Sequence, residues 1–257
     1  MSEKCKPCIM TDDGQNLSVA WAKAFLSAMH PHRANLTPLM LRVEDFTEGV
    51  LVEDNIIRSK LEKYLEVSCH TVANTIFPLS LWNRDRSRDE LYKRYTKILP
   101  LIKRCRKNSN GIYFERLVAY DNHGEPYNQL EHIIQTFIGG NHRPSALQAS
   151  VFDPTKDHTN QRQRGFPCLQ QIIFTQLENN GLAITGIYAS QYLFERAYGN
   201  YLGLCRLGQF VANELGLNLR QMNCYVGKAI LEVSNSHVSR LVKALENRLN
   251  ELGHDLL

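Results

Sequence analysis

The sequence predicts one mixed α+β domain, with a buried sheet in the middle of the chain and helices on either side of it. Three observations lead there. The 257 residues are 43% hydrophobic and 22% charged, enough to bury a core without disulfide or metal staples and too apolar for a disordered or collagenous chain. Apolar runs of strand length, Ala146 to Phe152, Cys168 to Leu177 and Leu182 to Tyr192, follow one another, and Glu178-Asn179-Asn180-Gly181 joins the last two as a hairpin turn. Segments with helical spacing stand before and after that block.

Residues 1–16 read as a flexible polar segment, and 17–257 as the domain. Leu17 to Met29 places Trp21, Phe25 and Met29 on one helical stripe, with Ser18 as candidate N-cap, and Pro31 ends it. Thr37 to Phe46 and Gly49 to Glu53 read as short strands. Asp54 to Glu66 returns to helical spacing through Ile57, Leu61 and Leu65. Arg84 to Lys107 is crowded with charge, yet Leu91, Tyr95, Ile98, Leu99 and Ile102 keep a helical repeat. The interleaved acids and the modest net charge of +4 make those cations the wet face of a helix, so a nucleic-acid partner is not expected. Tyr127 to Ile138 is a helix closed by Gly139-Gly140. Leu202 to Leu215, ended by Gly216, and Ser236 to Leu252, ended by Gly253, complete the chain.

No apolar stretch approaches the ~18–20 residues that span a bilayer, and the N-terminus has no apolar secretory core. The seven cysteines are odd in number and scattered, which fits free thiols in the cytoplasm and no membrane partner. Cys5-x-x-Cys8 has half the spacing of a zinc site that Cys69-His70 would have to complete, too little to assign a metal. A mild positive excess suits an anionic ligand such as a nucleotide.

Cys168 follows Pro167 and opens an apolar strand, where a thiol is held rigidly at the edge of a sheet. Thiolates are the strongest side-chain nucleophiles, and nearby cations lower their pKa. Taken alone, a cysteine there reads as a buried structural residue. Its neighbours shift the balance. His32-Arg33-Ala34-Asn35, Gln129-Leu130, Asn141-His142-Arg143-Pro144-Ser145 with Val151-Phe152-Asp153-Pro154, Pro167-Cys168, the run Glu195 to Leu204 (ERAYGNYLGL) and Val211 to Leu217 (VANELGL) come in one colinear order.

That series resembles the thymidylate synthase and pyrimidine-nucleotide (dCMP, CMP) hydroxymethylase superfamily over about residues 17–250. The resemblance implies that family's single domain with a central mixed sheet, a homodimer, a pyrimidine nucleotide substrate and 5,10-methylenetetrahydrofolate as one-carbon donor. It implies Cys168 as the nucleophile that adds to C6 and activates C5. Arg33, Arg143 and Arg196 would hold the phosphate with forked donors, with Arg143 able to reach across the dimer. Trp82, Asn200, Gly203 and Glu232 would line the nucleotide and folate pocket.

The departures are specific. The family stretch Gln-Arg-Ser-x-Asp-x-x-Leu-Gly-Leu is met by Ala197 at its serine and Gly199 at its aspartate; the base-reading asparagine falls on Leu207. Ile230 to Val233 replaces the histidine and tyrosine of the sugar site, and several extra residues separate Cys168 from Arg196. The sequence closes at Leu257 soon after the last helix, which favours a hydroxymethyl over a methyl product, since reductive methylation needs a closed site. A folate-dependent transferase and a nucleotide-binding regulatory protein that has lost catalysis both follow from these residues.

Overall fold

A computed structural model of the chain describes residues 8–10, 12–29, 35–160 and 165–254. Strand β1 (Cys8–Met10) leads to α1 (Leu17–Met29), then β2 (Asn35–Leu36), β3 (Leu39–Val43) and the hairpin β4 (Phe46–Thr47) with β5 (Val50–Leu51). Helices α2 (Asn55–Glu62), α3 (Cys69–Asn74), α4 (Arg88–Lys103) and α5 (Tyr113–Val118) follow. A hairpin of β6 (Tyr120–Asn122) and β7 (Glu125–Tyr127) precedes α6 (Gln129–Ile138). The remainder is β8 (Gln148–Ser150), α7 (Pro154–Asp157), β9 (Leu169–Leu177), β10 (Gly181–Tyr192), α8 (Ala197–Glu214), β11 (Asn218–Ile230) and α9 (Asn235–Glu251). The chain is mixed α+β, with a central mixed sheet flanked by helices. Among the described residues, no helix is long and apolar enough to cross a membrane.

The sheet runs β1-β3-β11-β10-β9-β8, with β2 pairing β11. β9 and β10 form the expected antiparallel hairpin, and Asn179 and Asn180 both take positive φ in its turn, a conformation asparagine tolerates better than most residues. β10 and β11 are parallel, so α8 is their crossover helix. The 13-residue β11 was not foreseen, although Leu219, Met222, Cys224, Val226 and Ala229 are its buried side. The expectation of a flexible segment over 1–16 is corrected for its described part. Cys8–Met10 pairs in parallel with Leu39–Leu41 as an edge strand, and buried Gln15 donates to the carbonyls of Met10 and Arg42.

Helix α8 begins at Ala197, five residues before the expected start, because its first turns are glycine-rich and read as loop until α3 is laid on them. A Cβ at Gly199 would stand 2.5 Å from Val72 Cβ, and one at Gly203 would stand 2.9 Å from the Ala73 carbonyl oxygen. On the other side Gly208 admits Ile184 and Leu219, and Gly186 admits Leu204, so α8 lies close on β10 and β11. The N-terminal cap of α1 is Asn16, whose side chain accepts the Val19 N–H at 3.0 Å. Ser18, the expected cap, instead shares a 2.8 Å hydrogen bond with the Tyr198 hydroxyl and accepts the Asp54 N–H.

The face of the sheet turned away from α8 is open. Ile9, Met40, Tyr225 and Ile187 are successive register partners across β1, β3, β11 and β10. Ile9, Met40 and Tyr225 are 59, 40 and 41% exposed.

Candidate functional site

Parallel strands place their carboxyl ends on one side of a sheet, which is where open α/β sheets bind ligands. Here the ends of β10 and β11, the start of antiparallel β9 and the beginning of α8 meet. Cys168 stands there half-buried, its carbonyl accepting the Ala189 N–H at 3.0 Å. The Ser190 side chain lies near enough to the Cys168 thiol to act on its ionisation. The Tyr113 hydroxyl oxygen accepts the Cys168 N–H at 3.4 Å, and its ring tilts against Phe166 at 5.2 Å. Arg196 occupies the N-cap position of α8 and lies close enough for its charge to act on Tyr113. It is half-buried and has no ion pair or side-chain hydrogen bond among the described residues.

Burial pushes the Cys168 thiol up from its ordinary value, and Ser190 only partly opposes it. This corrects the expectation that an arginine field alone would favour the thiolate. Cys168 is therefore held as a thiol, and its ionisation must await a base or a ligand. Tyr113 is likewise raised, chiefly by burial and then by Cys168, so it remains a neutral phenol that can donate a proton. The site can therefore offer a thiol, two hydroxyls and an unpaired guanidinium to one small anionic molecule.

Of the residues expected here, Cys168, Arg196 and Glu232 come together at this end of the sheet. Glu232 follows β11, and its carboxylate accepts the N–H groups of Glu195 at 2.6 Å and Phe194 at 3.4 Å. It pins the turn that presents Arg196. Burial raises its pKa, with those backbone N–H groups pulling the other way. Asn200 is one turn along α8 from Arg196 and 5% exposed.

Three expectations change. Gly203 seats α3 against Ala73 and Ile76, so it does not line an open pocket. Trp82 packs edge-on against Phe77 and Phe210 at 5.8 Å, a core role, although its Nε1 is buried without a partner among the described residues. Arg143 is not brought to Cys168 within one chain. Phe174 N–H donates to the Leu147 carbonyl, so the strand leading back to Arg143 runs toward the far end of β9, about 20 Å along it from Cys168. Arg33 lies outside the described residues, as does Cys5; the described chain resumes at Asn35, which pairs with Ile230 at the site end of β11.

Ser190 and Tyr113 were missed. Ser190 is a polar residue in an apolar strand, and only the register of β10 on β9 brings it beside Cys168. Tyr113 sits on a six-residue helix, too short to show a period. Gln129, singled out in the sequence, donates to the carbonyls of Arg116 and Ser150 and accepts the Ser150 N–H. It is a clamp between α5 and β8. No family model matches the chain, and no curated protein matches it.

Proposed function

We propose that the chain is a divergent thymidylate synthase-like protein that binds a pyrimidine nucleoside monophosphate and transfers a one-carbon unit to C5, with Cys168 as nucleophile. The observation that supports this best is the set around Cys168: Ser190 beside the thiol, the Tyr113 phenol at the backbone of Cys168, and Arg196 without an ion pair among the described residues. A phosphate met by Arg196 would hold the ring over the thiol, and proton transfer through Ser190 or Tyr113 would accompany addition at C6. Addition at C6 would leave the electron pair at C5, the carbon that receives the one-carbon unit. 5,10-methylenetetrahydrofolate is proposed as its donor. The face of Gly203, packed on Ala73 and Ile76, does not fit it. The protein acts as a homodimer in this reading, which the open apolar row across β1, β3, β11 and β10 supports.

The raised thiol and the covered Gly203 favour a second reading, a nucleotide-binding regulatory protein that has lost catalysis. Intact mass spectrometry after incubation with pyrimidine nucleotides and their 5-fluoro analogues, with and without the folate, separates the two. The transferase gives a Cys168 adduct and a product heavier by CH₂ or CH₂O, and Cys168→Ser abolishes both while leaving reversible binding within a few-fold. Binding by wild type with no adduct or product under any condition establishes the regulatory reading.

A further inference from the structure

From Leu91 to Phe114 the sequence carries seven cations, Lys93, Arg94, Lys97, Lys103, Arg104, Arg106 and Lys107, and no Asp or Glu. The whole chain is +4, so everything outside this stretch is net negative. The acids that interleave with arginines stop at Glu90. They are engaged at the beginning of α4, where Asp89 and Glu90 occupy the first turn and Glu90 pairs with Arg86. The charged face expected of this region is largely solvent-exposed, but beyond Glu90 it carries one sign only.

Two of the seven are used within the fold: Arg94 donates to the Leu81 carbonyl, and Lys103 pairs with Glu115 at 2.7 Å. Lys93, Lys97, Arg104, Arg106 and Lys107 are exposed, their side chains without an ion pair or hydrogen bond among the described residues. Lys93, Lys97 and Arg104 fall at i, i+4 and i+11, one side of the helix, over about 16 Å. Arg106 and Lys107 continue the line in the 3₁₀ turn that follows. The apolar side of α4 is spent on the core, with Leu91 and Tyr95 buried and Leu99 and Ile102 packed against it. Apart from Leu101, the helix has no large exposed apolar residue to lay in a bilayer.

The stripe is also well placed. Tyr92 rests on Phe210 of α8 at 6.5 Å, so α4 lies on the helical side of the sheet, and a copy docked on the open sheet face leaves it free. At its far end the chain passes Gly111, where a Cβ would stand 2.6 Å from the Phe166 ring, two residues before Cys168. Lys107, the last cation of the stripe, is thus four residues along the chain from a segment packed beside the thiol site.

We propose that the outer face of α4 and the turn after it dock the phosphate backbone of a single-stranded nucleic acid, held by charge rather than by base identity. A single line of cations matches a single line of phosphates, and such binding is strongly salt-dependent. The test is fluorescence anisotropy of the full chain with a labelled oligo(dT) of about 20 nucleotides, titrated between about 50 and 200 mM salt. Wild type should bind. Lys97→Ser/Arg104→Ser/Lys107→Ser should weaken binding at least tenfold at the lowest salt and reduce the log–log salt slope by about two, at ~0.7 for each phosphate no longer neutralised. Lys228→Ser/Arg240→Ser/Lys243→Ser, with the same net charge, should bind as wild type does. If the first variant melts early by circular dichroism, Lys93→Ser/Lys97→Ser replaces it, with about two-thirds of the change in slope. The proposal is overturned by no binding at the lowest salt, by equal losses in stripe and control variants, or by tighter binding to phosphatidylserine vesicles than to the oligonucleotide.

Discussion

Two arginines flank the Cys168 segment and meet opposite fates. Arg116 on α5 is 8% exposed and lies against two buried carboxylates, donating to Asp157 at 2.9 Å and standing 3.5 Å from Asp153. Its guanidinium also covers the Phe166 ring at 5.5 Å. Arg196, at the start of α8 near Tyr113, has no carboxylate partner among the described residues. A guanidinium already matched by protein acceptors belongs to the fold, whereas one held half-buried without acceptors is available to an anion from outside.

The largest effect expected from this contrast is on stability. Arg116→Ala strands two buried carboxylates and should cost about 3–5 kcal/mol in urea unfolding; a loss below about 1 kcal/mol would mean that Asp153 and Asp157 are satisfied without it. Arg196→Ala should do the reverse. Stability stays within about 0.5 kcal/mol, while affinity for a pyrimidine nucleoside monophosphate in calorimetry falls about 10- to 100-fold, as expected for removal of a charge-assisted hydrogen bond of about 1.5–3 kcal/mol. Affinity for the corresponding nucleoside should barely change, and an equal loss for both would detach Arg196 from the phosphate.

A smaller effect tests Asp153 by pH. Burial works to raise its pKa, but hydrogen bonds from Thr155 and the charge of Arg116 outweigh it, and the carboxyl titrates below its ordinary 3.8. The stabilisation is therefore complete above about pH 3.8 and lost as pH falls through the folded value. Unfolding curves of wild type and Asp153→Asn should differ at neutral pH and converge below pH 3.8; a constant gap would assign the difference to packing. The smallest change is expected from Glu232→Gln, which keeps one acceptor for the Phe194-Glu195 turn. Monophosphate affinity should fall by less than in Arg196→Ala, and the two substitutions should be non-additive in a double-mutant cycle.

Helices long enough to repeat their apolar stripe were legible in the chain: α1 at its observed bounds, α4 within the charged segment, α6 and α9 within two residues. The hairpin of β9 and β10 was equally legible, because its turn residues and flanking apolar runs are contiguous. Cys168 could be named because it opens a readable strand, whereas Arg196 and Glu232 were named from the family resemblance, Glu232 following a strand that was not foreseen.

Those local signals determined which segments are helix or strand, since period and caps are properties of neighbouring residues. They could not determine what faces the thiol. Ser190 and Tyr113 reach Cys168 from residues 22 and 55 positions away, and that meeting is decided by the register of β10 on β9 and the docking of α5. The role of Gly203 was decided in the same way. A glycine in a helix is open to many uses until another helix arrives, and here α3 arrives at van der Waals distance, closing a surface that the chain alone would have left to a ligand.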